Sequence, residues 1–326
     1  MTDPREVLRA LSDGRFRSGE ELAGILGCSR SAIWKHVRRL RQESGLQIDA
    51  VTGRGYRLSE PLELLDQALI LDNLPAPQRN RLGGCHVHDV VESTNELALR
   101  AAVGASAPQA WFAEAQTGGR GRRGRSWYSP YGRNLYFSLL QPFDLPMHRL
   151  AGLSVAVGLA LAQMLSELGL QGHGLKWPND LHWRGGKLAG ILIEARGESE
   201  GPTNAVIGIG LNVDLGHPPD WLEQEVSSLH DAGLAVGRNR LAAALLARTL
   251  ELCERFAADG LAPLIPQWSR YGLYQNQAVC LEAPGRQYLG VLRGVDDDGG
   301  LRLEVEGAER VFHGGEFSLR QEKESG

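Results

Sequence analysis

The first sixty residues contain the pattern that most constrains the fold, two helices separated by a turn of three residues. Ser18 opens the segment SGEELAGILG and Glu21 follows three residues later, which is the capping-box signature of a helix start. After the turn at 27–29, apolar residues recur at helical spacing in SRSAIWKHVRRLRQESG, which predicts a second helix. An earlier helix in REVLRALSDG and a hairpin around Gly53 and Gly55 complete a winged helix-turn-helix over roughly residues 3–58.

This predicted domain is basic in a chain that is acidic overall. Residues 1–60 hold 11 Lys and Arg against 8 Asp and Glu, whereas the whole chain has a net charge of −4. The basic side chains lie on the second helix and in the hairpin turn, the two elements that could contact duplex DNA. We expect DNA contacts from seven residues: Ser29, Arg30, Ser31, Lys35, Arg38, Arg39 and Arg54. The alternative is a protein-binding helical module whose arginines are only solvated. Trp34 is expected in the core or at its edge.

The cysteines and the hydropathy pattern indicate a reducing compartment and no membrane segment. Cys28, Cys85, Cys253 and Cys280 form no Cys-x-x-Cys pair, which excludes a disulfide framework and a simple zinc motif. The charged N-terminus is unlike a signal peptide, and the longest uncharged apolar stretch, 150–166, is shorter than the ~20 residues that a bilayer needs. We expect free thiols, a cytoplasmic protein, a buried helix at 150–166 and no membrane partner.

From about residue 85 the pattern changes to short apolar strands that alternate with helices. Strands are expected in QAWFAEAQ, NLYFSLL, GLKWPND, LHWR, GKLAGILIEA and NAVIGIGLNVD. Helices are expected from Asn95, in 146–169 and in RLAAALLARTLELCERFAAD. This order of elements indicates an α+β fold in which helices pack on a mixed or antiparallel sheet.

A loop rich in glycine and arginine, GGRGRRGRSW at 118–127, interrupts this block. No acidic residue occurs between Glu114 and Asp144, whereas five arginines do: Arg120, Arg122, Arg123, Arg125 and Arg133. We expect their charges to be unpaired and the empty loop to be mobile, becoming ordered around a phosphate or a carboxylate. Two other interpretations are an arm that binds nucleic acid and a solvated surface loop.

Two of the 4 lysines in the chain lie eleven residues apart, in KWPND and GGKLAGILIE. Lys176 is expected to end a strand and Lys187 to begin the next, so that one hairpin brings both ammonium groups to the same end of the sheet. Lys187 enters an apolar strand and needs a partner anion there. Asp180 has two interpretations of equal weight, a turn cap and a functional carboxylate.

Five motifs occur in order behind the helix-turn-helix: ESTN at 92–95, GRGRRGRSW, KWPNDL, GGKLAGIL and GIGLN at 208–212. In this order they resemble the family of bifunctional biotin–protein ligases and biotin operon repressors. The resemblance covers nearly the whole chain, including a C-terminal stretch of short strands and glycine turns. It implies three domains: a winged helix-turn-helix at 1–62, a class II synthetase-like catalytic domain at 63–275 and an SH3-like β-barrel at 276–326.

The resemblance also implies the reaction and the residues that carry it. Biotin and ATP would form biotinyl-5′-AMP with the help of Mg²⁺, without a metal site built from the chain's own side chains, and biotin would then pass to a lysine of a carrier protein. Groups near the reacting centre would be Lys187, Arg122, Lys176 and Asp180. Biotin would contact Ser93, Thr94, Asn95, Gln116, Arg120, Gly121, Arg122 and Lys187. The nucleotide would contact Arg122, Arg125, Trp127, Lys176, Asn212 and Arg320. A second flexible loop, 215–228, would lie over the nucleotide.

The implied partners are the biotin carboxyl carrier protein, operator DNA of biotin genes and, with the adenylate bound, a second copy of the chain. Three alternatives stay open. A lipoate–protein ligase shares the catalytic scaffold but lacks the N-terminal domain and the paired motifs. A biotin-responsive transcription factor would bind the adenylate without transferring biotin. A plain ligase would keep a helix-turn-helix that no longer represses.

Overall fold

The computed structural model describes residues 3–197, 200–216, 218–222, 224–313 and 317–321. The N-terminal domain consists of α1 (Pro4–Leu11), α2 (Gly19–Leu26), α3 (Arg30–Glu43) and the antiparallel strands β1 (Ile48–Val51) and β2 (Gly55–Leu58). The predicted capping box is present, because the Ser18 hydroxyl accepts a hydrogen bond from the Glu21 amide at 3.0 Å. Gly27, with φ of 61°, ends α2 and gives the sharp turn into α3. The winged helix-turn-helix prediction is confirmed.

Trp34 is not in the core of this domain, so the core is excluded as one of the two expected positions, core or edge. Its side chain is 52% exposed on α3, and the Arg38 guanidinium lies 5.6 Å from the centre of its ring. Ile33, one residue earlier, takes the buried position because successive side chains of an α-helix point about 100° apart. The exposed indole therefore extends the basic face of α3 with an aromatic surface.

The central domain contains a mixed sheet of seven strands in the order β3-β4-β5-β9-β8-β7-β6. Its strands are β3 (Gly84–Val91), β4 (Gln109–Gln116), β5 (Leu135–Phe143), β6 (His173–Lys176), β7 (Asp180–Trp183), β8 (Gly186–Gly197) and β9 (Thr203–Leu211). Only the β3–β4 pair is parallel among the strand pairs that the structure describes. Its helices are α4 (Gln67–Asn73), α5 (Ala76–Arg81), α6 (Thr94–Ala101), α7 (Leu153–Glu167), α8 (Arg238–Asp259) and α9 (Ile265–Tyr271). The expected mixed α+β architecture is confirmed.

The apolar segment expected as one helix at 146–169 is interrupted. A short 3-10 turn (Met147–Leu150) precedes α7, and Gly152 between them has φ of 79°, which an α-helix does not allow. By length and composition alone, Met147–Glu167 is apolar enough to cross a membrane, but most of it is buried inside the fold. It is the central core helix, and it packs against α8.

The C-terminal domain is an antiparallel sheet of five strands in the order β13-β12-β11-β10-β14. The strands are β10 (Ala278–Ala283), β11 (Arg286–Val295), β12 (Leu301–Val305), β13 (Ala308–Phe312) and β14 (Ser318–Gln321). The Trp177 indole of the central domain donates a hydrogen bond to the carbonyl of Gly299 at 2.9 Å, which fixes this domain against the β6–β7 turn. The sheet therefore contributes one wall of the region where the predicted motifs meet.

A buried ion pair lies where the N-terminal domain, the linker and the central sheet meet. The Glu114 carboxylate on β4 is fully buried and lies 2.8 Å from the Arg238 guanidinium at the start of α8. The same carboxylate accepts a hydrogen bond from the Leu65 amide of the linker at 2.6 Å. Arg238 also donates to the carbonyl of Glu63 at 2.6 Å and to that of Asn134 at 2.8 Å. Four separate segments are thus fixed by one pair of side chains.

Arg238→Met should destabilise the protein strongly, because it leaves the buried Glu114 carboxylate with only the more distant Arg5 guanidinium, at 3.7 Å, as a cationic partner. Removal of one partner of a buried pair costs about 3–5 kcal/mol of unfolding free energy. The double variant Glu114→Leu/Arg238→Met should lose less than the two single variants together, since no buried charge remains. Urea unfolding of the three variants followed by tryptophan fluorescence measures these losses. A loss below about 1 kcal/mol in Arg238→Met would contradict the assigned role.

Candidate active site

The predicted motifs meet around one cavity on the face of the central sheet. Its walls are the start of α6, the loop 118–128, the β6–β7 turn, four residues after β9 (Leu215, Leu222, Gln224 and Val226) and the end of the C-terminal sheet. The cavity brings together thirteen of the residues expected on sequence grounds: Ser93, Thr94, Asn95, Gln116, Arg120, Gly121, Arg122, Arg125, Trp127, Lys176, Asp180, Lys187 and Asn212. Arg320 is not among the lining residues; its side chain is largely exposed and pairs with Glu282 at 3.3 Å.

Glycines on β8 and β9 form the floor of the cavity. Gly190 and Gly210 lie opposite each other in the ladder, and the Trp127 ring rests across them. A Cβ atom at Gly190 would lie 2.9 Å from this ring, and one at Gly210 would overlap it. A Cβ atom at Gly208 would overlap the amide of Asn95. The indole N–H of Trp127 is buried, and among the described residues no group accepts its hydrogen bond.

Hydroxyl and amide side chains occupy one end of the cavity. The Gln116 Oε1 atom accepts a hydrogen bond from the Thr94 amide at 2.9 Å, and its Nε2 atom donates to the Ser129 hydroxyl at 3.2 Å. Ser93, Thr94 and Asn95 are each at most 5% exposed. Helix α6 begins at Thr94, one residue before the predicted start, so that the ESTN motif places its side chains at a helix N-terminus beside the cavity.

The arginine loop has internal structure and partners. The Trp127 amide donates to the Gly119 carbonyl at 2.8 Å, and the Gly121 amide donates to the Arg125 carbonyl at 2.7 Å. The expectation of five unpaired charges is wrong. Arg120 pairs with Glu96 at 3.1 Å, and Arg133 pairs with Asp214 at 2.7 Å, because acidic residues distant in sequence fold back on the loop.

Arg122 is the arginine of this loop that reaches farthest into the protein. Its guanidinium donates to the Asn179 Oδ1 atom of the β6–β7 turn at 3.1 Å, so the loop is joined to the opposite wall of the cavity. Burial lowers the pKa of this guanidinium, although it remains a cation at any physiological pH. A fixed positive charge therefore projects between the two walls.

The two lysines reach the cavity by a different route from the expected single hairpin. Strand β7 intervenes, so Lys176 pairs with Asp180 at one end of β7 while Lys187 pairs with His182 near the other. The register shifts between Leu181 and His182. The Lys187 side chain extends back along the sheet, and its Nζ atom lies 2.9 Å from Asp180 Oδ2. The predicted partner anion of Lys187 is thus Asp180.

This arrangement favours the functional interpretation of Asp180 over the turn cap. The Lys187 Nζ atom lies 5.3 Å from the centre of the Trp127 ring, and the second carboxylate oxygen of Asp180 is buried without a partner among the described residues. Burial lowers the pKa of Lys176; the Asp180 carboxylate opposes this shift, and the neighbouring cations Lys187 and Arg320 add to it. An unsatisfied carboxylate oxygen beside several cations is a site that can exchange partners when an anionic ligand enters.

The structure adds residues that sequence reasoning missed. Ser138 is fully buried on β5 and lies under Thr94 and Asn95, and Glu194 on β8 contacts Asn95. Ser138 is a small polar residue that interrupts the otherwise apolar and aromatic run LYFSLL, which was a usable signal. Asn212 donates to the carbonyls of Lys187 and Ser227, so its amide fastens the loop 215–228 to β8. Trp221 of that loop lies edge-on to Tyr128, with their ring centres 6.0 Å apart.

The residues expected to contact DNA lie together on one domain. Ser29 is the N-cap of α3, where its hydroxyl accepts from the Ala32 amide at 3.2 Å. The other six residues are exposed along α3 or in the β1–β2 turn: Arg30, Ser31, Lys35, Arg38, Arg39 and Arg54. The Arg54 guanidinium lies 4.1 Å from the centre of the Phe16 ring, which holds it beside the helix-turn-helix.

Comparisons with known proteins agree with these features. The Biotin/lipoate A/B protein ligase family matches residues 87–212, an HTH domain matches 5–57, and the biotin protein ligase C-terminal domain matches 275–320. The chain is 38% identical over 320 residues to the bifunctional ligase/repressor BirA of Escherichia coli (strain K12), covering 98% of both chains. It is 32% identical to that of Bacillus subtilis (strain 168), covering 91% of this chain and 92% of the relative.

A solved structure extends the likeness to three dimensions. The biotin protein ligase from Aquifex aeolicus in complex with biotin and ATP matches with a TM-score of 0.63 and 28% identity, covering 74% of this chain and 100% of that one. The chain therefore belongs to the biotin/lipoate A/B protein ligase family. Because the matches to bifunctional ligase/repressors include the N-terminal domain, it belongs among the biotin ligases that carry a repressor-type DNA-binding domain.

Lys176→Arg should extend the binding of ATP to higher pH. The lowered pKa of Lys176 means that its ammonium loses its proton, and its attraction for phosphate, at a lower pH than an ordinary lysine. An arginine keeps its charge throughout. Calorimetric titration of ATP between pH 7 and 10 measures the dissociation constant of each protein. This constant should begin to rise at a lower pH for the wild type than for Lys176→Arg. Identical pH profiles for the two proteins would remove Lys176 from the phosphate site.

Proposed function

We propose that the chain activates biotin with ATP to biotinyl-5′-AMP, transfers biotin to a lysine of a carrier protein, and represses biotin genes as an adenylate-bound dimer. The observation that carries the proposal is the Lys187–Asp180 pair at the centre of the cavity. A ligand carboxylate can replace Asp180 beside the Lys187 ammonium. This exchange fixes where the reacting oxygen lies.

Biotin is held from its two ends in this proposal. Its ureido ring lies against Ser93, Thr94 and Gln116, whose hydroxyl and amide groups match neutral donors and acceptors. Its carboxylate lies at Lys187. The backbone and side chains of Arg120, Gly121 and Arg122 cover the bound biotin. Asn95 acts differently, since both ends of its amide are already bonded to protein groups.

ATP lies over Trp127, with its phosphates toward the cationic end of the cavity. The Trp127 ring on its glycine floor gives the adenine a flat apolar surface, and the arginines Arg122 and Arg125 with Lys176 face the phosphates. Arg320 supplies long-range positive charge from the rim, and Asn212 holds the covering loop. In this way binding and charge neutralisation are divided among separate walls of the cavity.

The first reaction is a displacement at the α-phosphorus. The biotin carboxylate oxygen forms a bond to phosphorus, and the bond to the bridging oxygen breaks, so that pyrophosphate leaves with the electron pair. No residue acts as a covalent nucleophile, because alignment and stabilisation of charge by Lys187, Lys176 and Arg122 suffice.

Mg²⁺ would enter with ATP and supply further charge neutralisation on the phosphates. The unpartnered oxygen of Asp180 fits such an ion, because Mg²⁺ is commonly held by one or two carboxylates together with substrate phosphates. The described residues contain no cluster of three or more His, Cys, Asp or Glu side chains that could hold a metal ion by themselves.

In the second reaction, the neutral amine of the acceptor lysine attacks the acyl carbon of the adenylate and AMP leaves. The arginine loop and the loop 215–228 exclude water from the mixed anhydride until the carrier protein docks.

A cytoplasmic location suits this chemistry. None of the four cysteines forms a disulfide, and burial raises the pKa of Cys85 to about 11 and of Cys253 to about 12, which makes these two unreactive.

Lys187→Met should abolish formation of the adenylate while leaving the protein folded, because it removes the cation at the reacting carboxylate. We expect a loss of at least about 100-fold in the rate of pyrophosphate release, which is typical when one charge-stabilising group is removed. Mass spectrometry after incubation with biotin, ATP and Mg²⁺ detects the adenylate and any biotinylated carrier. Lys35→Met, the same substitution on α3, is the matched control and should retain full ligase activity. Near-normal synthesis by folded Lys187→Met would refute the assignment.

The arginine loop should be protected from trypsin by biotin and ATP. Cleavage after Arg123 or Arg125 is expected in the empty protein, because both side chains are exposed, and the adenylate should slow it. Arg122→Gly should release the adenylate, so that lysines of bystander proteins become biotinylated. Equal cleavage rates with and without ligands would show that the loop does not cover the site.

Biotinyl-5′-AMP should tighten the binding of the full chain to a palindromic operator, and unbiotinylated carrier protein should weaken it. One basic domain makes few phosphate contacts, whereas a dimer spans two half-sites. Arg38→Ala should weaken operator binding and reduce its dependence on salt, while ligase activity is unchanged. Gel shifts with the promoter regions of biotin genes measure both effects. The absence of any adenylate-dependent shift would indicate a ligase whose N-terminal domain does not repress.

A further inference from the structure

Asn179 in the β6–β7 turn is bonded to β8 by its main chain and by its side chain. Its carbonyl accepts a hydrogen bond from the Ile191 amide at 2.9 Å. Its side-chain Nδ2 atom donates to the Ile191 carbonyl at 2.8 Å. The residue is 8% exposed, although it lies in a turn. The two bonds to one residue of the sheet leave the Asn179 side chain little freedom to rotate.

The bond to Ile191 determines which way the Asn179 amide points. A backbone carbonyl only accepts, so the amide must turn its Nδ2 atom toward Ile191 and its Oδ1 atom away from it. The Oδ1 atom accepts from the Arg122 guanidinium at 3.1 Å. A guanidinium only donates, so both neighbours require the same orientation of the amide. Asn179 therefore offers Arg122 one acceptor atom in one position.

Arg122 lies in a segment that does not fix a long side chain by itself. Gly121 precedes it, and the two residues that follow, Arg123 and Gly124, have φ of 61° and 69°. An arginine side chain also loses much rotamer entropy when it is ordered. The bond to Asn179 holds the tip of the side chain against the sheet, which limits both kinds of freedom before any ligand enters.

This contact orients the guanidinium without cancelling its charge. Arg120 and Arg133, in the same stretch of chain, are bonded to carboxylates. The amide oxygen of Asn179 is neutral and accepts from one of the several N–H groups of a guanidinium. A cation that is already oriented stabilises developing charge better than one that must first be ordered. An amide is thus a suitable partner for an arginine that must also meet an anion.

We propose that Asn179 is a positioning residue that holds Arg122 across the cavity, so that the arginine loop stays closed over the adenylate. The inference rests on the proposed function, in which Arg122 meets biotin and the phosphates. Asn179 acts through Arg122, because its two side-chain polar atoms are engaged by Arg122 and Ile191. The next residue, Asp180, pairs with Lys187. Two consecutive residues of one turn therefore orient two cations of the reacting centre.

The test is a double-variant cycle on the rate at which biotinyl-5′-AMP dissociates from the full-length protein. Labelled adenylate is formed in place from biotin and ATP, and its release is followed by rapid gel filtration. Asn179→Ala should increase the rate about 10-fold, as is typical when a hydrogen bond to a charged group is lost. In the Arg122→Ala background the same substitution should change the rate less than about 2-fold, because the partner is already absent.

Trypsin cleavage after Arg123 and Arg125 in the empty protein measures the anchoring of the loop without any ligand. Asn179→Ala should increase the cleavage rate at least about 3-fold, because the loop opens more often. Asn179→Asp keeps an oxygen that accepts from Arg122 but cannot donate to Ile191. This variant should melt at a lower temperature and yet be cleaved at the wild-type rate.

Asn73→Ala on α4 is the matched control, because the Nδ2 atom of Asn73 also donates to a backbone carbonyl at 2.8 Å, that of Leu69. It should release the adenylate and be cleaved at the wild-type rates. Thermal melting monitors the fold of each variant. If Asn179→Ala does not fold, Arg122→Ala takes its place in the trypsin assay. Faster cleavage of Arg122→Ala than of Asn179→Asp then supports the inference, and equal rates overturn it.

Three outcomes are distinguishable. A large effect of Asn179→Ala in the wild type that disappears in the Arg122→Ala background supports the inference. Effects that multiply, or cleavage of Asn179→Asp as fast as that of Asn179→Ala, mean that the bond to Ile191 alone matters, and overturn it. A wild type that makes no adenylate from biotin and ATP overturns the proposed function, and the inference with it.

Discussion

The buried pair of Glu114 and Arg238 is the interaction on which the rest of the structure depends. Two charges are removed from water, which is tolerable only because each also bonds to backbone groups of other segments. Asn134, whose carbonyl accepts from Arg238, uses its side-chain oxygen to accept from the amides of Val213 and Asp214 at 2.8 and 3.1 Å. One group of contacts therefore sets two positions. It fixes the linker after the DNA-binding domain, and it fixes the residues Val213 and Asp214 that lead into the loop 215–228.

The cavity depends on a different principle, the placement of charged loops over the floor of a regular sheet. The ladder of β5, β9 and β8 has regular antiparallel register, so the positions of Gly190, Gly208 and Gly210 are fixed by the sheet. The side chains that carry charge come from the arginine loop and from the ends of the strands β6, β7 and β8. A regular apolar surface with charged walls suits the proposed reaction. Biotin and ATP must first be enclosed, and the carrier protein must then reach the adenylate.

Much of the fold could be predicted because its signals are local. The capping box at Ser18, the glycine that ends α2 and the apolar periodicity of α3 each depend on residues within one or two turns. The thirteen residues that line the cavity were selected by the resemblance of their motifs to a known family. Their spacing in the sequence alone does not predict that ESTN lies beside the arginine loop. The mixed sheet was predicted, but its strand order was not.

What could not be predicted depends on contacts between residues distant in sequence. The pairing of Arg120 with Glu96 contradicts the simple count of charges in the loop, and the insertion of β7 changes how Lys187 reaches Asp180. Trp34 occupies an exposed helix position that hydropathy alone assigns to the core. The resemblance implies that Arg320 contacts the nucleotide, yet its side chain is largely exposed and pairs with Glu282. Each case requires the fold, because local sequence does not contain the partner.

The glycine floor has a consequence for how such a site can change over generations. Room for the Trp127 ring and the Asn95 amide exists there because three residues have a hydrogen atom where every other residue has a carbon atom, and any substitution adds at least that carbon. A floor of this kind cannot be adjusted in small steps, because even the smallest change at Gly210 would overlap the Trp127 ring. Any gradual drift toward a new acid must therefore begin in the loops, while the sheet beneath stays as it is.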